Sequence, residues 1–352
     1  MCFHRNAESI DRDMRLNRAR HETSPLLRFP PPRNSIRAHR YLRRTDGVTL
    51  VPVKYLLVVA NAKIKMECVA ANGTEFSFLE CGSGKLALLL HGFPDTAQTW
   101  RHLMPQLAEA GYRAVAPFTR GYAPSAVPSD GCYQTAMLAR DANALHESLG
   151  GDSDAVIIGH DWGAPSVYGA ALDAPTRWRK VVGMAVPPTA ALGMAFVQNL
   201  EQIKNSWYMF FFQHGLADLV VGANNHAFID MLWRDWSPGY DASFDLEMVK
   251  KSLADPKNLQ AALGYYRATL GDGYRDPALK DLQDQMGGGV PTQQLLYLHG
   301  ANDGCIGVDV VESAKSMAPA NVNFTIVESA GHFLQLEQPE KVNRLICEFL
   351  AG

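Results

Sequence analysis

The ten residues from Val156 to Pro165 read VIIGHDWGAP. Gly159 and Gly163 flank Asp161 with the spacing of a tight strand-to-helix turn. Such a turn holds its central side chain clear of the backbone as a nucleophile, usually a serine. An aspartate there reads either as a helix N-cap or as a nucleophile of another kind. The second reading has a definite chemistry. A serine needs a base before it attacks, whereas a carboxylate with a pKa of about 4 is already ionised at neutral pH. Attack by serine on an sp3 carbon leaves an ether that water does not readily cleave. Attack by aspartate leaves an ester, whose own carbonyl water can attack. Asp161 therefore suits an alkylating substrate, an epoxide or a halide, rather than an acyl one.

Three more polar features end apolar runs. His91 to Asp95 (HGFPD) follows LALLL, Asp303 follows LLYLHGAN, and His332 follows FTIVESAG. Each has a plainer alternative: a turn residue for Asp303, a structural imidazole for His332. Together they give the order nucleophile, acid, histidine at the strand ends where open parallel sheets bind ligands. With Asp161 as nucleophile, His332 is expected to activate the hydrolytic water and Asp303 to orient its ring and stabilise the imidazolium. Hydrolysis of the ester develops an oxyanion on Asp161, which needs preorganised N–H donors. The backbone N–H groups of Trp162, at a helix start, and of Phe93 are the candidates. Pro94 stiffens the second turn, with a cis bond as one way of doing so, and His91 is expected to brace it.

The elements that must position these residues alternate from Glu67 onward. GTEFSFLECG, KLALLLHG, RAVAPF, DAVIIG and KVVGMAV read as strands. The continuous apolar runs among them suit a parallel sheet covered on both faces. TWRHLMPQLAEAG, YQTAMLARDANALHESLGG and the small-residue stretch GAPSVYGAALDAP read as helices. Alternation stops from Pro187 to Pro291, which is aromatic-rich and largely helical, then resumes with QQLLYLHG, VNFTIVESAGH and PEKVNRLICEFL. The expected architecture is an α/β doubly wound, mostly parallel sheet with an inserted helical cap. It divides into a basic, disordered N-terminal extension over 1–65, a first core part over 66–188, the cap over 189–290 and a second core part over 291–352.

The chain has 352 residues, 47% of them hydrophobic and 20% charged, so it can bury a core without disulfides or a structural metal. Charge is uneven. Residues 1–65 carry eleven arginines and three lysines against five acidic residues, while the rest has 19 basic and 31 acidic residues. An acidic body argues against nucleic-acid binding. The six cysteines are scattered, with no metal-ligand spacing, which points to a reduced, cytoplasmic protein. No apolar run of about 18 residues marks a membrane span. VPVKYLLVVANA, Val51 to Ala62, ends like a signal-peptide cleavage site, so secretion is the alternative. Lys54 interrupts its apolar run, and a β-strand reads equally well.

HGFP, GHDWGA, GANDG and the Gly331-His332 pair resemble, in order, the oxyanion turn, aspartate elbow, acid and histidine positions of the epoxide hydrolase branch of the α/β-hydrolase superfamily. The resemblance covers roughly Glu67 to Gly352. It implies two cap tyrosines that hold and protonate the epoxide oxygen. SWYMFFFQ places Tyr208 in the first such motif and LGYYRATL places Tyr266 in the second, with Tyr265 as its competitor. Phe93, Trp162 and Trp207 are expected to line the pocket for a small, apolar epoxide. Haloalkane dehalogenases also carry Trp after the aspartate and remain the alternative activity, although many have Asn where this chain has Phe93. A catalytically inactive binding protein on the same fold is the alternative of a different class. Arg120, in RGYAPS, is expected to be a structural hydrogen-bonder. The motifs imply no cofactor and no metal.

Overall fold

Along the chain, runs of branched and aromatic residues alternate with helical periods. In the computed structural model, which describes residues 57–59 and 62–352, nine of these runs pair into one sheet. The strands are β1 (Leu57–Val59), β2 (Ala62–Ala71), β3 (Thr74–Gly82), β4 (Lys85–Leu90), β5 (Tyr112–Pro117), β6 (Val156–His160), β7 (Lys180–Met184), β8 (Gln294–Gly300) and β9 (Val322–Val327). Their order is β1-β2-β3-β5-β4-β6-β7-β8-β9. The first three strands join antiparallel, and every pairing from β5 to β9 is parallel.

Parallel strands need both faces covered, and the side chains divide accordingly. Leu88, Ile157, Val181 and Leu295 stand in register across four strands and pack into one core. Their neighbours Leu89, Ile158, Val182 and Leu296 enter the core on the other face. Each fully buried aliphatic side chain stabilises the fold by about 1.5–3 kcal/mol.

Helices α1 (Met104–Glu109), α2 (Thr135–Ser148) and α3 (Gly163–Asp173) follow β4, β5 and β6. The single helix expected over TWRHLMPQLAEAG is two pieces, a 3-10 segment at Ala97–His102 and then α1. Pro105 lies in the first turn of α1, where its missing N–H is tolerated, but it cannot continue a helix from upstream. Between β7 and β8 the described chain forms α4 (Ala191–Gln198), α5 (Leu200–Asn205), α6 (Trp207–Phe211), α7 (Ala217–Val220), α8 (Ala223–Trp236), α9 (Ser243–Ser252), α10 (Pro256–Leu270) and α11 (Lys280–Met286). α12 (Val308–Met317), α13 (Leu334–Glu337) and α14 (Pro339–Ala351) complete the core.

The expected boundary after residue 65 is corrected. β2 begins at Ala62, upstream of it, and Leu57–Val59 pair with Ala62–Ile64. Lys63 and Lys65 resemble the basic segment before them in charge, yet they are the exposed face of a strand whose Ile64 is buried. That alternation is the period-two pattern of a half-buried strand. The remainder of the expected extension lies outside the described residues. Among the described residues, no helix is long and apolar enough to cross a membrane.

Candidate active site

β6 runs straight into Asp161, whose backbone takes the left-handed conformation at φ 51°. A non-glycine residue held there is strained, a feature common at functional turns. The turn is tight because Gly163 lets α3 approach β4: a Cβ on Gly163 would lie 2.0 Å from the carbonyl oxygen of Leu90. The N-cap reading of Asp161 does not hold. α3 begins without a side-chain cap hydrogen bond, and Trp162 occupies the cap position. The Asp161 carboxylate instead turns toward β4 and His332. Its Oδ1 accepts a 2.8 Å hydrogen bond from the Phe93 backbone N–H, and its Oδ2 lies 3.4 Å from Nε2 of His332.

The Phe93 donor comes from a turn locked on several sides. Phe93-Pro94 is a cis peptide. The indole of Trp233 in α8 donates to the Pro94 carbonyl at 2.9 Å. His91 braces the next segment, accepting from the Thr119 N–H at 3.0 Å. Burial pushes its imidazole down to about 4, which keeps it a neutral acceptor. The second expected donor, the Trp162 N–H, makes no hydrogen bond to Asp161 here. It converges on the same point, however: a Cβ built on Gly92 would lie 2.3 Å from Asp161 Oδ1 and 2.5 Å from the Trp162 nitrogen.

Asp303 serves two purposes. Its Oδ1 accepts from the N–H groups of Cys305 and Ile306 at 2.7 and 3.0 Å, as a turn residue would. Its Oδ2 meets His332 Nδ1 at 3.0 Å. Burial works to raise the Asp303 carboxyl, but the His332 charge and its hydrogen bond outweigh it and hold the group below the ordinary carboxylate range. Burial likewise works to lower His332, and the Asp303 charge with the Asp161 contact outweighs it, lifting the imidazole to about 10. The shift favours the imidazolium form of the ring, which stands between Asp303 and Asp161.

Tyr208 and Tyr266 are both fully buried and meet edge to face, with ring centroids 5.7 Å apart. Tyr266 also stands 5.0 Å from the Trp162 ring. Burial first, and the Asp161 charge among its neighbours, raise both phenols well above the ordinary value. The Tyr208 hydroxyl contacts Cys305 Sγ at 3.3 Å, whereas that of Tyr266 makes no hydrogen bond. The hydroxyl of the competitor Tyr265 donates to the Arg120 carbonyl at 2.7 Å. Arg120 is itself fixed by Asp141 and Asp130.

The chain matches the family model of the alpha/beta hydrolase fold over residues 87–339. It belongs to that family. This α/β-hydrolase is 28% identical to Epoxide hydrolase A of Mycobacterium tuberculosis over 318 residues, 81% of this chain and 96% of that protein. It is 43% identical to an epoxide hydrolase of Caballeronia sordidicola over 125 residues, which span only 35% of this chain and 38% of that relative. Its fold is similar to the crystal structure of Epoxide Hydrolase A from Mycobacterium thermoresistibile, with a TM-score of 0.68, 26% identity and coverage of 82% of this chain and 98% of that one.

Beside Asp161 the α/β-hydrolase has a partly open cavity of about 220 Å³ bordered by Trp162, Met209 and Ile306. Of the expected pocket residues, Trp162 borders this cavity and Trp207 and Phe93 do not. Trp207 is 45% exposed and packs on Phe211 and Phe228, because its neighbour Tyr208 points inward and adjacent helical residues diverge by about 100°. The Phe93 ring is buried edge to face against Phe212 and Tyr266 and does not border that cavity, and neither Tyr208 nor Tyr266 borders it.

Sequence reasoning missed several supports. His160 Nε2 meets the His332 carbonyl at 2.8 Å, and burial depresses that imidazole to about 3. The Trp236 carbonyl accepts the N–H groups of both His332 and Gly304, tying α8 to the histidine loop and the acid loop. Cys305, unmarked by any motif, brings its thiol to the nucleophile. Asp161, Cys305 and His332 each offer one metal-ligand type of atom within 4.8 Å of one another. All three are already engaged, with Phe93, Tyr208 and Asp303 respectively.

Proposed function

We propose that this α/β-hydrolase opens epoxides to vicinal diols through an alkyl ester on Asp161. The observation that carries the reading is the carboxylate itself, gripped at Oδ1 by the Phe93 N–H and facing His332 at Oδ2, with two buried phenols in the same aromatic cluster. The relatives named epoxide hydrolases support it. In the first step Oδ2 of Asp161 attacks an epoxide carbon and the ring C–O bond breaks. Tyr208 or Tyr266 passes its proton to the alkoxide. Esterification removes the Asp161 charge, so the His332 imidazolium releases its proton, restoring the phenol and leaving a neutral base.

In the second step His332, oriented by Asp303, takes a proton from water as the oxygen adds to the ester carbonyl. The oxyanion forms on Oδ1, where the Phe93 N–H already lies, and the Trp162 N–H closes on it. Collapse breaks the bond to the diol oxygen, which takes up the proton of the new carboxyl. Donors fixed before the reaction contribute most of such stabilisation, and losing one typically costs about 10²–10³-fold in turnover.

A panel of epoxides and haloalkanes, assayed for diol and for halide, tests the reading. Diol is expected from epoxides. Halide release without diol from any epoxide would replace the reading with haloalkane dehalogenation. In heavy-oxygen water with enzyme in excess, the first turnover should place an Asp161 oxygen, not solvent oxygen, in the diol. In His332→Gln the protein mass should rise by one substrate.

A further inference from the structure

The cavity beside Asp161 is not uniformly apolar. Val186, Leu192, Phe196, Met209 and Met286 line it, but so do Thr135, Thr269 and Gln283. Thr135, the first residue of α2, is 5% exposed. The Thr269 hydroxyl, in the last turn of α10, is buried and unpartnered. Gln283 in α11 uses its Oε1 to accept the Ala136 N–H at 3.0 Å, capping α2 from another helix. That bond fixes the amide, so its NH2 group is the part left free to donate.

Hydroxyls held without partners in an apolar surround are costly, by about 1–3 kcal/mol each. Here one of them, the Thr269 hydroxyl, borders a single cavity together with the Thr135 side chain and an oriented amide, at the positive end of a 14-residue helix. Among the described residues Asp161 is the only charged side chain on the cavity wall, and with no cation among them a neutral group is favoured over a carboxylate.

We propose that these three groups form a subsite for a neutral hydrogen-bond acceptor, an ester or amide carbonyl, on the apolar body of the epoxide substrate. The subsite rests on the epoxide hydrolase reading for its reaction, but not for its binding. The aliphatic wall takes the carbon chain, Asp161 takes the epoxide carbon, and Thr135, Thr269 and Gln283 donate to the carbonyl oxygen.

The test uses 1,2-epoxides of increasing chain length ending in an amide, each paired with an alkyl epoxide of equal length. In the wild-type chain, kcat/KM should favour the amide about tenfold at one chain length and not at the others, since a hydrogen bond to a buried site discriminates by roughly that factor. In Thr135→Val/Thr269→Val the ratio should fall to near one. No preference at any length, a preference for the carboxylate analogue over the amide, or a ratio unchanged in the double variant would overturn the subsite. Binding separates this failure from that of the proposed reaction. Quenching of tryptophan fluorescence by the saturated amides, which carry no epoxide, should show the same length optimum and the same loss in the double variant, whether or not any epoxide is opened. Equal binding of the amides and the matched alkanes would sink the subsite alone.

Discussion

His332 Nε2 stands 3.4 Å from Oδ2 of Asp161, close enough for the nucleophile to control the protonation of the base. Both carboxylates lift the imidazole, but only Asp161 loses its charge during the proposed reaction. An opposite charge at this range is worth about 1–3 pKa units. In an NMR titration, the His332 ring of the free protein should stay protonated to about pH 10. In Asp161→Asn it should lose its proton at least about one unit lower. An unchanged titration would mean that esterification cannot generate the base.

The same shift makes a stability statement. The folded-state pKa of His332 is raised, so its contribution is fully present below the unfolded value of about 6.5 and is lost as pH rises through about 10. Asp303 is depressed, so its contribution is present above the unfolded value of about 3.9 and lost as pH falls below it. His332→Gln removes the histidine term. The unfolding free energy of the wild type, relative to this variant, should therefore decline between pH 7 and 10 in urea melts. A difference that grows over that interval would contradict the sign.

Gly92→Ala should disable the nucleophile without touching its chemistry. The new Cβ would meet Asp161 Oδ1 at 2.3 Å and the Trp162 nitrogen at 2.5 Å. The Asp161 Cβ would also lie 2.5 Å away, so the carboxylate and the turn that carries it must both shift. Displacement of about 1 Å at a reacting group can cost about 10²-fold. Single-turnover alkylation should slow by at least about that factor. A variant that alkylates at the wild-type rate would show that the grip on Oδ1 is dispensable.

How much of this was legible in the chain depends on whether the information is local. Asp161, Asp303 and His332 each end an apolar run, so strand periodicity and chain order suffice to bring them together. Trp207 misled because an aromatic-rich helix does not declare its inward face, and Tyr208 occupies that face. Lys63 and Lys65 misled because charge dominated a three-residue alternation. Cys305, His160 and the Gln283 bond to α2 carried no local pattern. Gln283 and Ala136 are 147 positions apart and meet only through packing.

The edge strand offers a test of that corrected boundary. Ile64 is 2% exposed, and Lys65 pairs with Glu80. A chain started at Met66 loses both, and burial of one isoleucine alone is worth about 1.5–3 kcal/mol. Its urea midpoint should fall below that of the full chain. Equal midpoints would mean that β1 and the start of β2 add nothing to the sheet.

The two phenols bear most directly on which bond is broken. An opening epoxide leaves an alkoxide tethered to the product, which needs an acid, whereas a departing halide does not. Burial raises both phenols well above the ordinary value, so alkaline pH should leave them protonated and able to donate. Tyr208→Phe leaves Tyr266 to polarise the ring, and the reverse variant leaves Tyr208, so each alone should retain partial activity. The double variant should slow alkylation by about 10²–10⁴-fold, the usual contribution of a general acid. Ester hydrolysis should change much less, because Asp303, His332 and the Phe93 N–H are untouched. Tyr265→Phe is the control for aromatic repacking. Its hydroxyl is committed to the Arg120 carbonyl, so that variant should lose about 1–3 kcal/mol of stability while alkylation keeps its rate. Wild-type epoxide opening by the double variant would remove the phenols from the mechanism and leave the proton source elsewhere.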